Sequence, residues 1–87
     1  MEKFAERLKE IANMYGLQKQ SGKTIEELNE LAVALAHKNR REIVSEIADV
    51  KIMVAQLEYL LDIKEDVYLD IEYKVNRTMM QIDKIKE

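Results

Sequence analysis

The sequence predicts an all-α chain, folded as a four-helix, antiparallel bundle-type protomer. Three observations carry this expectation. Proline is absent and glycine occurs only at Gly16 and Gly22, so few residues interrupt a helix. Apolar residues recur at three- and four-residue spacing along four segments. The breaks between those segments are short, as between neighbouring helices of a bundle. The 87 residues suffice for one domain, spanning 1–87, with no internal repeat, low-complexity tract or linker. At this size a core is marginal, and association often supplies the missing burial.

In the first segment Phe4, Leu8, Ile11 and Tyr15 form a stripe, and Gly16 is placed to stop the helix because it accepts a positive φ. The second helix carries Ile25, Leu28, Leu31, Ala32 and Leu35 on one face. Two starts are open to it, one near Gln18 and one at a cap between Ser21 and Thr24, where Thr24 and Glu27 have capping-box spacing. The next break is "HKNR", where Asn39 can cap the third helix with Glu42 at the box position. "LLDIKED" separates the third helix from the fourth, with Asp62 and Glu65 at the same spacing. The fourth runs from about Lys64 toward the C-terminus, with Val67, Ile71, Val75, Ile82 and Ile85 as its core stripe.

The third helix raises the functional question. At about 100° per residue, Ile43, Ile47, Val50, Val54, Leu57 and Leu61 make its main core stripe. Glu46 falls inside that apolar arc and Asp49 at its edge. A second strip, Ala48, Ile52, Ala55 and Tyr59, lies on the opposite side. A helix apolar on two faces needs two partners, and a second subunit is the expected second one. The chain is therefore expected to form a dimer or a tetramer built as a dimer of dimers.

An unpaired carboxylate in an apolar arc is strongly disfavoured. Three arrangements would resolve Glu46: a basic partner, protonation, or a metal ion. The second helix bears on the choice, because "EELNE" sets Glu27 and Glu30 three residues apart, as Glu46 and Asp49 are. Two facing helices with such pairs gather four carboxylates, which repel one another without a cation. With one they form a hard oxygen site suited to magnesium, with manganese as the alternative. On the second helix alone, a solvated acidic face is the simpler reading. His37 stands alone beside a basic break and reads as a surface or capping histidine. On the fourth helix Lys74 and Arg77 lie three apart beside a small apolar strip, Leu69, Tyr73 and Met80. They form either a solvated flank or a phosphate contact next to a surface that can take a base.

Composition narrows the classes further. The chain has no cysteine, which excludes a disulfide framework and a thiolate metal site. Its 14 basic and 17 acidic residues are interspersed, with a formal net charge of −3, which argues against nucleic-acid binding through a broad basic face. No apolar run is long enough to span a bilayer, and no signal-peptide pattern opens the chain. The expected location is cytoplasmic, with no membrane partner.

"EELNE", followed fifteen residues later by "EIAD", resembles the EExxE…ExxD pattern of the all-α nucleoside triphosphate pyrophosphohydrolases, the MazG-like superfamily. "YGLQKQSGKTIEELNELAVAL" is similar to that family's approach to its first motif, "EIADVKIMVAQLEYLL" to its second motif helix, and "IEYKVNR" to the basic segment of its last helix. The resemblance implies magnesium-dependent hydrolysis of a nucleoside or deoxynucleoside triphosphate to the monophosphate and pyrophosphate. It implies Glu27, Glu30, Glu46 and Asp49 as metal ligands. Glu26 would be an outer ligand, or would orient or deprotonate the attacking water. Lys74 and Arg77 would hold phosphate oxygens, with Gln20, Tyr73 and Asn76 as further substrate contacts. The rival class is a non-catalytic helical module for oligomerisation or partner binding.

Overall fold

The computed structural model describes all residues from Met1 to Glu87 and contains only helices and their short connections. A 3-10 turn, Glu2–Phe4, leads into α1 (Ala5–Tyr15); α2 (Leu17–His37), α3 (Arg40–Leu60) and α4 (Lys64–Lys86) follow. The all-α expectation holds. No helix is long and apolar enough to cross a membrane.

The connections explain the helix ends. Gly16 alone joins α1 to α2, at φ 87° and ψ 166°, a conformation that a Cβ would strain. Its N–H donates to the Ala12 carbonyl and its own carbonyl accepts from Gln20 N–H, so α2 begins at Leu17, the earlier of the two starts open to it. The Thr24–Glu27 capping box does not form. Thr24 lies inside the helix, and its hydroxyl donates to the Gln20 carbonyl at 2.7 Å. Asn39 does cap α3, accepting from Glu42 N–H at 3.0 Å. The Glu42 carboxylate turns to His37 Nδ1 instead of closing the box, at 3.1 Å.

Asp62 does not cap α4 either. It takes the left-handed conformation, φ 55°, just past the end of α3. Ile63 N–H donates to the Glu58 carbonyl and Asp62 N–H to the Tyr59 carbonyl, the two bonds of a Schellman motif. Ile63 then serves as the N-cap of α4, its carbonyl accepting from Val67 N–H. The junction is thus closed by backbone hydrogen bonds at the end of α3, while α4 starts without a side-chain cap.

The packing departs from the predicted core. α2 and α3 pack along most of their length and α1 lies mainly against α3, whereas α4 packs against neither α1 nor α2 and meets α3 only marginally. No residue of α4 is buried. The predicted core face of α2 is largely exposed, with Ile25, Leu28 and Leu35 outward. The buried residues of α2 are Gln20, Thr24, Glu27 and Ala34. On α3 neither stripe is covered along its length: Ala48 and Ile52 of the second strip are exposed. α1 reaches the Tyr59 end of the second strip through a hydrogen bond between the Asn13 amide and the Tyr59 hydroxyl, at 2.9 Å. The main stripe is left open: Ile47, Val54 and Leu61 are exposed, and Ile43, Val50 and Leu57 half-buried.

The result is an extended protomer. Its radius of gyration is 15.9 Å, where a compact domain of this length has about 12 Å. It exposes 7269 Å² of surface, where a folded monomer of this mass exposes about 5,300 Å². The physical reason is the missing apolar core: only Leu8, Ala12, Ala34 and Met53 are buried hydrophobic residues.

Candidate metal centre

The α2–α3 seam is built from polar layers. Gln20 and Gln56 meet at one end, Nε2 of Gln20 donating to Oε1 of Gln56 at 2.7 Å, with both side chains buried. Seven residues further along α2 and seven residues back along α3, the same antiparallel register brings Glu27 opposite Asp49. Glu30 and Glu46 form the next pair. The seam positions, with Thr24 on α2 and Met53 on α3, repeat at three- and four-residue intervals, the spacing of a coiled-coil seam. Their polarity is what sets them apart from a hydrophobic core.

Carboxylate oxygens of Glu27, Glu30, Glu46 and Asp49 all lie within 4.8 Å of one another. Glu27 is the most enclosed, Glu46 and Asp49 are half-buried, and Glu30 is exposed. Oε2 of Glu27 and Oε2 of Glu46 are shut off from solvent and have no hydrogen-bond partner. A buried charged oxygen without a partner is costly, and either protonation or a bound cation would relieve that cost.

The electrostatics agree. Burial pushes the Glu46 carboxyl above its ordinary value, and the charge of Glu30 pushes it further, with Asp49 and Glu27 adding to the effect. Burial likewise raises Asp49, followed by its contact with Glu27 and the charges of Glu27 and Glu30; Lys23 opposes the rise. The one cation at the cluster is Lys23, whose ammonium lies 3.2 Å from Glu27 and 3.6 Å from Glu26. Glu27, and then Glu26, raise its pKa in return. Lys23 escaped the sequence reading. Its signal was the i, i+4 spacing to Glu27, which also describes an ordinary surface pair.

Three resolutions were open for Glu46, and the structure narrows them. No basic side chain reaches it, since the Lys23 contacts go to Glu26 and Glu27. Protonation and a metal ion remain, and four converging carboxylates suit a hard divalent cation. A cleft of about 440 Å³ opens beside Glu30 and Glu46 and continues past Asn29 and Val33 to the His37–Glu42 pair. His37 is thus a surface histidine, as expected, and also closes one end of this cleft.

The other predicted site residues are not gathered here. Glu26 is exposed on α2, next to Lys23 and outside the four-carboxylate group. Gln20 lies in the seam, its amide bonded to Gln56. Tyr73, Lys74, Asn76 and Arg77 are exposed on α4, away from the carboxylates of their own chain. Arg77 lies 5.6 Å from the Tyr73 ring centre, a cation–π contact, and Asn76 lines a shallow depression with Tyr68 and Val75.

Comparison of the chain with known protein families, with curated proteins and with solved structures finds no match.

Proposed function

We propose that the chain is a MazG-like pyrophosphohydrolase that cleaves the α–β phosphoanhydride bond of a nucleoside or deoxynucleoside triphosphate in the presence of Mg2+ or Mn2+, releasing the monophosphate and pyrophosphate. The observation that carries this reading is the convergence of four carboxylates with two orphaned, enclosed oxygens, on Glu27 and Glu46. A solvated acidic face does not leave carboxylate oxygens without water or a donor. The order of the acidic motifs along the chain, and their resemblance to those of the MazG-like enzymes, supply the reaction.

In this reading Glu27, Glu30, Glu46 and Asp49 hold the cation. A cation held there would supply neutralisation of phosphate charge and a lowered pKa of coordinated water. Glu26, at the rim, orients the attacking water and receives its proton. Lys74 and Arg77 hold phosphate oxygens and stabilise the charge that builds on the departing pyrophosphate. Tyr73 and Asn76 contact the base or sugar. Lys23 keeps Glu27 and Glu26 partly neutralised in the metal-free protein. The active form is a homo-oligomer, since each protomer exposes about 2,000 Å² more surface than a compact monomer would.

The test is incubation of the purified protein with Mg2+ and a panel of nucleoside triphosphates, followed by separation of the products. Monophosphate with pyrophosphate is the expected pair. Diphosphate with orthophosphate would mean that a different bond is cut, and no product from any substrate, with the protein folded, would contradict the enzymatic reading. A non-catalytic helical module is the second reading, favoured by the extent of uncovered apolar surface. Under it, Glu46→Gln would relieve burial cost and leave function intact.

A further inference from the structure

We infer that Lys23 is a displaceable counter-ion of the carboxylate cluster: its ammonium holds Glu27 and Glu26 in the metal-free protein, and a divalent cation entering the site takes its place. The inference rests on the proposed function in treating the four carboxylates as ligands of that cation. The ion pairs that must give way stand on geometry alone.

Lys23 lies one helical turn before Glu27 on α2, at the i, i+4 spacing where side chains meet. Its ammonium is 3.2 Å from Oε1 of Glu27 and 3.6 Å from Oε2 of Glu26. The two ends of the first pair differ in freedom. The Glu27 side chain is 6% exposed and that of Lys23 is 53% exposed. Glu27 is therefore fixed between the helices, whereas Lys23 stands at the rim and can swing into water without disturbing the seam. No other basic side chain forms an ion pair with Glu27, Glu30, Glu46 or Asp49.

The ammonium serves the cluster only in part. It satisfies Oε1 of Glu27, while Oε2 of the same carboxylate is enclosed without a partner, as is Oε2 of Glu46. One positive charge at the rim does not balance four carboxylates whose oxygens lie within 4.8 Å of one another. A divalent cation among those oxygens has access to the two orphaned atoms and brings twice the charge. The two cations then exclude each other, because both need Glu27 and because they repel. A monovalent and a divalent charge a few ångströms apart disfavour each other by about tenfold or more, even with the screening of water.

Displacement also reaches Glu26. That exposed carboxylate is held by the same ammonium, so entry of the cation frees the group proposed to take the proton of the attacking water. Lys23 thus ties the readiness of Glu26 to occupation of the carboxylates, and makes the site weak for the metal alone.

The test is calorimetric titration of Mg2+ and Mn2+, without nucleotide, into chelator-stripped wild type, Lys23→Met and Lys23→Arg at pH 8 and fixed salt. Methionine is a good helix former and keeps an unbranched stem without the charge, and arginine keeps the charge. Lys23→Met should bind both ions about tenfold more tightly than wild type, and Lys23→Arg close to wild type. A lysine that merely positioned Glu27 would give the opposite result, because its loss would loosen a ligand. Weaker or unchanged binding by Lys23→Met, beside a wild type that binds, would overturn the inference and leave the carboxylate site standing. No binding by any of the three, with each shown by circular dichroism to be folded, would overturn the cation reading of the cluster and the inference with it. Melting in chelator checks the ion pair without any metal. Lys23→Met should melt below wild type, and the difference should shrink in a Glu27→Gln background, where the lysine has lost its closer partner. An equal difference in both backgrounds would overturn the counter-ion role.

Discussion

The α2–α3 seam and α4 invert the usual relation between polarity and burial. Along the seam, Gln20, Thr24, Glu27 and Gln56 are buried and make up half of the buried residues. Along α4, Tyr68, Leu69, Ile71, Tyr73, Val75 and Met80 are exposed. A chain that encloses Glu27 and shows its isoleucines leaves most of its apolar surface uncovered. Buried polar groups fix register because a one-turn slip would leave them unpaired. The apolar stripes contribute free energy only when another surface covers them.

Removing a carboxylate from the seam breaks this comparison most severely. Asp49→Asn should lower turnover by at least about 100-fold, since even groups that merely support metal ligands are worth 10–100-fold. Circular dichroism should show the helices intact, because the substitution also relieves repulsion with Glu27. A charge on the apolar side should act differently. Val54→Glu, on the open stripe of α3, should shift sedimentation toward the ~10 kDa monomer and lower activity without touching any carboxylate.

Substitution within the polar seam, away from the acids, sharpens the contrast. Gln56→Ala leaves the buried Gln20 amide without its partner, which should cost about 1–3 kcal/mol in denaturant unfolding. Turnover by the folded fraction should change far less than in Asp49→Asn.

A smaller effect is expected with pH. Glu46 and Asp49 are raised above their ordinary values of 4.5 and 3.8, so the native protein binds these protons more tightly than the unfolded chain does. Their stabilising contribution is complete below the ordinary values and is lost as pH rises through the raised ones. The metal-free wild type should therefore lose stability relative to Glu46→Gln as pH rises from the ordinary carboxylate range toward neutral, as read by melting curves at matched salt. With a saturating divalent cation the trend should reverse, because protons then compete with the ligand.

The four acids and the Asn39 cap were legible in the sequence because each rests on local spacing along one helix. The antiparallel register of α2 on α3 was not: Gln20 and Gln56 are 36 residues apart, and nothing local marks them as partners. The buried face of α2 was misjudged for a related reason. Ile25, Leu28 and Leu35 make the more apolar stripe, and periodicity alone places such a stripe inward. Within one protomer the acids compete for that inward position and hold it. Asp62 was read as a cap because Asp-x-x-Glu fits the box pattern, yet the same residue type tolerates the left-handed turn that ends α3. α4 was misjudged for the same reason. Its stripe was read as core, yet Ile71, Val75, Ile82 and Ile85 are exposed, because a helical period does not say whether any surface covers an apolar face.

The central claim, that the carboxylate seam is made to hold a divalent cation, is tested most directly by melting curves of wild type and Glu46→Gln, each in chelator and in millimolar Mg2+. A ligand that binds only the native state raises stability by mass action, about 2.7 kcal/mol at a hundred times its dissociation constant. Wild type should melt higher in Mg2+ than in chelator. Glu46→Gln should melt above wild type in chelator, because one repelling charge is gone, and should respond little to the metal. A wild-type curve indifferent to Mg2+, Mn2+ and Ca2+, with and without nucleotide, would contradict the account.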